Sequence, residues 1–275
     1  MSWLARSFDQ YTIAWLLITS IIGGIVGASI KFIFEGLLAP HVSSKRDVRR
    51  LVNLYTAPLL RSAETLERRI NNLLRNNAKA WYSSSEYYRM STLYSFAEYL
   101  GWVKAIERDF GFVPYEGIRR GKQFNRHLYG LFRALSSFAY FRWCEDETAV
   151  EESLVPRDML KAIGEAMTRD VPDRHVKEFT QFLYSYANDA TFARWFLELD
   201  QFLLKSGLDS VLRRERLIAA GANLRALIAF LDPKGKSVEK RQIANLESIK
   251  HIEVRDELEK EFPMLLPTIT RNANS

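Results

Sequence analysis

From Tyr11 to Ile30 the chain runs for twenty residues, YTIAWLLITSIIGGIVGASI, without a charged side chain. No other feature restricts the fold as much. At about 1.5 Å per residue, a helix of that length is roughly 30 Å long, the thickness of a bilayer's hydrocarbon layer. Nine of the twenty residues are Ile, Leu or Val. They supply roughly −3 to −5 kcal/mol of insertion free energy before the Gly, Ser and Thr costs are subtracted. Tyr11 and Trp15 stand near one end, as an aromatic belt requires. A cleaved signal peptide would carry an apolar core of only about 7–15 residues, and Ile30-Lys31-Phe32 offers no small-residue cleavage site. The segment reads as a transmembrane helix. Residues 11–39 form the span and its interfacial extension, preceded by a short extracytoplasmic N-terminus at 1–10.

Flanking charge sets the orientation. Only Arg6 precedes the span, whereas Lys31, Lys45, Arg46, Arg49 and Arg50 follow within about twenty residues, the distance over which the positive-inside bias operates. The expectation is a single-pass protein of the cell inner membrane, N-terminus outside, with the C-terminal domain cytoplasmic. Inside the span, Gly23 and Gly27 form a GxxxG, and Ser20, Gly24 and Ala28 form a second small-residue row. Such rows let helices approach closely in lipid, although glycine is also common in spans generally. They point to a homo-oligomer, and any pore would have to come from several copies. Lys31 and Glu35, one turn apart, read as an interfacial ion pair that in an oligomer would ring the cytoplasmic mouth.

The net charge is +6. Arg6, Asp9, Lys31 and Glu35 cancel, so the excess lies wholly beyond residue 40. A basic domain next to a membrane satisfies the positive-inside bias, rests on anionic lipid, or binds an anionic ligand such as a nucleotide or oligonucleotide. The single cysteine, Cys144, excludes an intrachain disulfide and suits a reducing compartment.

Beyond the span the apolar spacing predicts an all-α fold, a multi-helix bundle. Residues 41–232 form the helical cytosolic domain, and 233–275 a charged C-terminal helix and tail. Helices are expected over 44–76 with an interruption near Pro58, from a Ser83/Glu86 capping box to Gly111, and over 118–143. Others are expected at 157–169, 173–188, 191–205, 209–231 and 237–261. The acidic stretch 145–152 reads as a loop. Tyr87, Tyr88, Tyr94, Phe96, Tyr99 and Trp102 recur at helical spacing and are assigned to packing.

Catalytic signatures are not found. Gly235-Lys236-Ser237 lacks the glycine that a phosphate loop needs five positions earlier, where Phe230 stands. There is no GxGxxG or HExxH. His41, His127, His175 and His251 are scattered; His175 and Glu178 lie one turn apart without a third ligand, so no metal or cofactor is expected. Cys144 sits among acidic residues, the wrong surroundings for a thiolate nucleophile. The chain is read as a non-enzyme.

One constellation could bind. Arg119, Lys122, Arg126, Tyr129 and Arg133 are spaced three, four, three and four apart and share one helix face, with Arg120 and His127 beside them. Phe124, Leu128, Leu131, Phe132 and Leu135 take the opposite side. Four cations and a tyrosine over about four turns could track a phosphate chain and stack a base. The alternative is an ordinary solvated face paired with acids of neighbouring helices. Arg213-Arg214-Glu215-Arg216 is a weaker cluster because it contains an acid. The Lys234, Lys236, Lys240 and Arg241 group suits lipid contact.

The stretches PLLRSAETLERRINNLL (58–74), STLYSFAEYLGWVKAIERDF (91–110), LKAIGEAM (160–167) and RLIAAGANLRALIAFLDPKG (216–235) resemble a pattern of uncharacterised bacterial single-span membrane proteins. That resemblance implies an N-terminal anchor with a helical cytosolic domain, and no chemistry. In layout the chain is similar to the pore-type membrane effectors of anti-phage systems, including the oligonucleotide-regulated ones of Hailong-type systems. The likeness implies an ion channel or other membrane effector in antiviral defence, its basic helical domain controlling the spans. The rival is a membrane-anchored scaffold that docks a protein partner without pore activity.

Overall fold

The computed structural model describes residues 39–76, 80–110, 119–169, 176–206, 210–238 and 246–263. The segment 11–30, with Ser20, Gly23, Gly24, Gly27 and Ala28, lies outside the described residues, as do Lys31 and Glu35. None of the described helices is long and apolar enough to cross a membrane. The chain divides into two units, Met1–Leu54 and Tyr55–Ser275. The first contributes only the start of helix α1, and every other described element belongs to the second.

The described residues are all helical, without a strand. In order they form α1 (Ala39–Asn76), α2 (Trp81–Ser84), α3 (Glu86–Phe110), α4 (Arg119–Leu128), α5 (Gly130–Ser136), α6 (Glu147–Glu152), α7 (Arg157–Thr168), α8 (Phe179–Asn188), α9 (Ala190–Arg194), α10 (Leu197–Lys205), α11 (Val211–Leu231), a 3-10 turn at Leu246–Ser248, and α12 (Ile252–Glu261). Helix α11 is the axis. Leu217, Ile218, Ala219, Ala220, Ala222, Leu224, Leu227 and Ile228 are all buried, and so are the polar Glu215, Arg216, Asn223 and Arg225, so the helix is enclosed around its whole circumference. Helices α4 and α5 pack against it, as does α12. On the α1 side, a Cβ on Gly221 would sit 3.7 Å from Ile70. A second layer pairs α3 with α7 and α8. There the helices approach closely: a Cβ on Gly164 would fall 2.6 Å from the Leu100 carbonyl oxygen, and one on Gly101 would fall 2.6 Å from the Val176 side chain.

Several boundaries differ from the sequence expectation, each for a local reason. Helix α1 continues through Pro58. The lost hydrogen bond and ring clash cost about 3 kcal/mol, offset by burying Leu59, Leu60, Ala63, Leu66 and Ile70 along one face. The cap of α3 is Ser85, whose hydroxyl accepts from the Tyr88 amide at 3.2 Å. Ser83, the expected cap, instead donates to the Ala80 carbonyl. The expected 118–143 helix breaks at Tyr129 and ends at Ser136. Gly130 abuts Asn223 so closely that a Cβ would lie 2.5 Å from its amide oxygen, and the Ser136 and Ser137 hydroxyls bond back to the preceding turn. The acidic 147–152 stretch is a helix, because Asp146 caps the Ala149 amide and Glu147 lies at the positive end of the dipole. Asp189 caps α9 just ahead of the expected 191–205 helix, which Trp195 and Phe196 divide into α9 and α10. Within the expected 237–261 helix the described residues form the 3-10 turn and α12, and 239–245 lie outside the described residues.

Candidate anion-binding site

The basic stripe falls on α4 and α5, against the last turn of α12. Arg126 closes α4, and its Nη2 donates to Glu261 Oε1 at 2.8 Å. Arg133 of α5 reaches the same oxygen. Tyr140, from the turn after α5, donates its hydroxyl to Glu261 Oε2 at 2.8 Å. Its ring lies 4.9 Å beneath the Arg133 guanidinium, and Asn223 of α11 donates to its hydroxyl at 2.9 Å. One carboxylate, 6% exposed, thus meets two guanidiniums and a phenol from three segments. Burial, and then the adjacent Glu261 charge, push the Tyr140 hydroxyl pKa well up, so it remains a donor.

The remaining stripe residues are placed less centrally. The Tyr129 hydroxyl donates to Glu107 Oε1 at 2.7 Å, so it is bound to α3. Lys122 is exposed and makes no ion pair or hydrogen bond among the described residues. The side chains of Arg119 and Arg120 lie outside the described residues. The His127 ring packs against Phe230 in a tilted arrangement, with centroids 5.4 Å apart. Burial and the Arg126 charge lower its pKa, against a smaller opposing effect of Glu261. Three stripe residues therefore carry internal acidic partners, as an ordinary amphipathic face would.

Helix α12 is positioned from its other end by Glu215, which is 1% exposed. One oxygen of Glu215 accepts from the Lys250 and His251 amides at 2.8 and 3.0 Å, and the other stands 2.7 Å from His251 Nδ1. The His251 ring packs on Trp143 at 4.6 Å. Glu215 thereby satisfies amides at the helix start that α12 cannot satisfy itself.

The cluster Arg213-Arg214-Glu215-Arg216 is not one patch. Arg213 bonds the Glu152 carbonyl, Arg214 the Leu74 carbonyl, and Glu215 α12. Arg216 is fully buried. It donates to Ser153 Oγ and to the carbonyls of Ala134, Ser137 and Val150, at 2.8, 3.0, 2.8 and 3.3 Å, and covers Phe141. These carbonyls lie at the ends of α5 and α6, where helix carbonyls lack internal partners. Burial depresses the Arg216 pKa to about 10, which leaves it charged at neutral pH. A second buried cation, Arg225, lies 2.6 Å from Glu67 of α1, each side chain 3% exposed. Sequence reasoning singled out neither as buried. Arg225 carried a signal, an arginine set among small and apolar residues of a helix, whereas Arg216 follows three charged residues and carried none.

The Lys236, Ser237 and Val238 amides, which resemble a phosphate loop in sequence, are taken by the Asp232 carboxylate at 3.0, 2.7 and 2.9 Å. Gly235 alone in that turn needs positive φ, at 65°. Lys234 and Lys236 are exposed, and Lys240 and Arg241 lie outside the described residues. A cavity of ≈ 250 Å³ opens among α1, α2 and α10, lined by Leu73, Tyr82, Tyr88, Leu203 and Leu217. Tyr82 of this lining donates to Asp200, which also accepts from Arg89. Among the described residues no group of His, Cys, Asp and Glu could hold a metal ion, and His175 lies outside them.

No family model matches the chain, and no curated protein or solved structure shows significant similarity to it.

Proposed function

We propose that this chain is a homo-oligomeric inner-membrane effector, anchored by residues 11–30. Its helical domain binds an anionic nucleotide or oligonucleotide and thereby controls the spans, in the manner of a pore. Antiviral defence is the setting its layout suggests. The observation that supports this reading is the cradle of Arg126, Arg133 and Tyr140. Donors from three segments converge on a single oxyanion, and two cations share one negative charge. A phosphate group can likewise accept from two guanidiniums, and a phosphodiester carries the same single negative charge as the carboxylate. The uncharged, glycine-dotted run at 11–30 supplies the anchor and the means of self-association. Reconstitution into planar bilayers tests the proposal. Single-channel currents that respond to short oligonucleotides are expected, and silence across nucleotides and oligonucleotides refutes it.

One observation favours the scaffold reading. Tyr87 and Tyr184 are 72% and 73% exposed, contrary to the assignment of Tyr87 to packing, and Leu197 and Leu204 of α10 also face solvent. Exposed aromatics of this kind suit a protein partner. Replacing residues 11–30 by an unrelated span separates the two: a scaffold keeps its function, and a pore loses it.

A further inference from the structure

We propose that α12 is a displaceable anionic strap, with Glu261 occupying the Arg126–Arg133 cradle in competition with a phosphodiester ligand, so that ligand entry releases the C-terminal end of this helix. The inference rests on reading the cradle as the ligand site. It adds the regulation of that site.

Three observations carry it. First, α12 (IEVRDELEKE) holds five carboxylates against two cations, and its last carboxylate meets the basic stripe of α4 and α5. The strap therefore presents to the cradle what a polyanion would. Second, the cradle is accessible from solvent although its occupant is not. Arg126 is 61% exposed and Arg133 35%, against 6% for Glu261, so an incoming phosphate can engage the guanidiniums before Glu261 leaves. Third, α12 is held unequally along its length. Its start is fixed by the buried Glu215 carboxylate on two amides and the His251 ring. Its apolar anchors are Val254, Leu258 and Phe262. Losing the Glu261 contacts leaves the start pinned, and among the described residues the far end keeps Leu258 and Phe262 as its buried apolar anchors. The exchange is one carboxylate out and one phosphodiester in, with both arginines staying paired throughout. The unpaired-charge penalty that fixes a buried ion pair is thus avoided.

The test uses the full-length chain in nanodiscs and a fluorescein-labelled single-stranded oligonucleotide of about six nucleotides, a length within the usual footprint of single-strand binders, read by fluorescence anisotropy. Glu261→Gln removes the competing charge and should tighten binding about tenfold or more, because the fraction of open cradles rises. Glu261→Asp, which keeps the charge, should tighten it less and serves as the test if the glutamine variant fails to fold by far-UV circular dichroism. Arg126→Ala with Arg133→Ala should abolish binding. Unchanged affinity in both Glu261 variants, with binding still lost in the arginine variant, overturns the strap and leaves the ligand site standing. Equal binding by wild type and the arginine variant overturns both. Tighter binding to phosphatidylserine nanodiscs alone, with no gain for the oligonucleotide, also overturns the strap as a nucleic-acid switch.

Discussion

The inner and outer flanks of the bundle each hold arginines, and they use them in opposite ways. On the inner, buried flank, Arg225 and Arg216 of α11 point to opposite sides of the helix, one paired with Glu67 of α1 and the other with carbonyls at the ends of α5 and α6, and both are cut off from water. Beneath α12, Arg126 and Arg133 share a carboxylate while keeping their own solvent contact. The first arrangement cannot exchange partners without leaving a charge or several carbonyls unsatisfied in the interior, where each costs kilocalories. The second can, because water and ions reach the guanidiniums before the carboxylate moves. Charge buried inside a helical bundle fixes its architecture, and charge at the rim can be used for binding.

The largest expected effect lies on the buried flank. Arg216→Ala removes this donor from the Ala134 and Ser137 carbonyls, while the Val150 carbonyl keeps the Ser153 amide and hydroxyl. It should cost about 4–5 kcal/mol, read as a lowered denaturation midpoint by circular dichroism; a loss near zero would place Arg216 among exchangeable groups. Glu67→Ala isolates the buried Arg225 and should cost about 3 kcal/mol, whereas Glu67→Met combined with Arg225→Leu should return to within about 1 kcal/mol of wild type. Glu261→Gln should cost no more than about 2 kcal/mol, since both arginines regain water. A cost matching that of Glu67→Ala would erase the distinction between the flanks.

The smallest effect concerns pH. His127 has a lowered pKa in the folded chain, first through burial and then through Arg126, while Glu261 opposes the shift. The unfolded chain therefore binds more protons just below pH 6.5, and stability from this group rises with pH through that window. Glu261→Gln removes the opposing effect, so the His127 pKa should fall further in an imidazole NMR titration. Glu98 behaves in reverse: burial raises its pKa, against Arg61. Its native form holds a proton longer than the unfolded chain does, so this contribution is lost as pH rises above the usual carboxylate range. Glu98→Gln should flatten that loss.

Much of the fold was legible because periodicity reports burial. The apolar rows of α1, α3 and α11 locate those helices to within a few residues. Boundaries set by tertiary contact were not legible. The break at Tyr129 depends on Asn223 touching Gly130 from a helix far along the chain, and Pro58 is tolerated because a buried face outweighs its local cost. The stripe on α4 and α5 was visible as spacing, but its partners were not. Glu107 and Glu261 come from other helices, and no pattern within the stripe points to them. Arg216 read as one cation in a mixed cluster because sequence alone does not show that three helix-end carbonyls converge on it.

Amide hydrogen exchange across the full-length chain, with and without a saturating oligonucleotide, tests the contrast between the flanks most directly. The account predicts faster exchange at the C-terminal amides of α12 on ligand addition, while those of α11 and α5 stay protected. Slower exchange in α12, or an unchanged pattern with ligand bound, would contradict it.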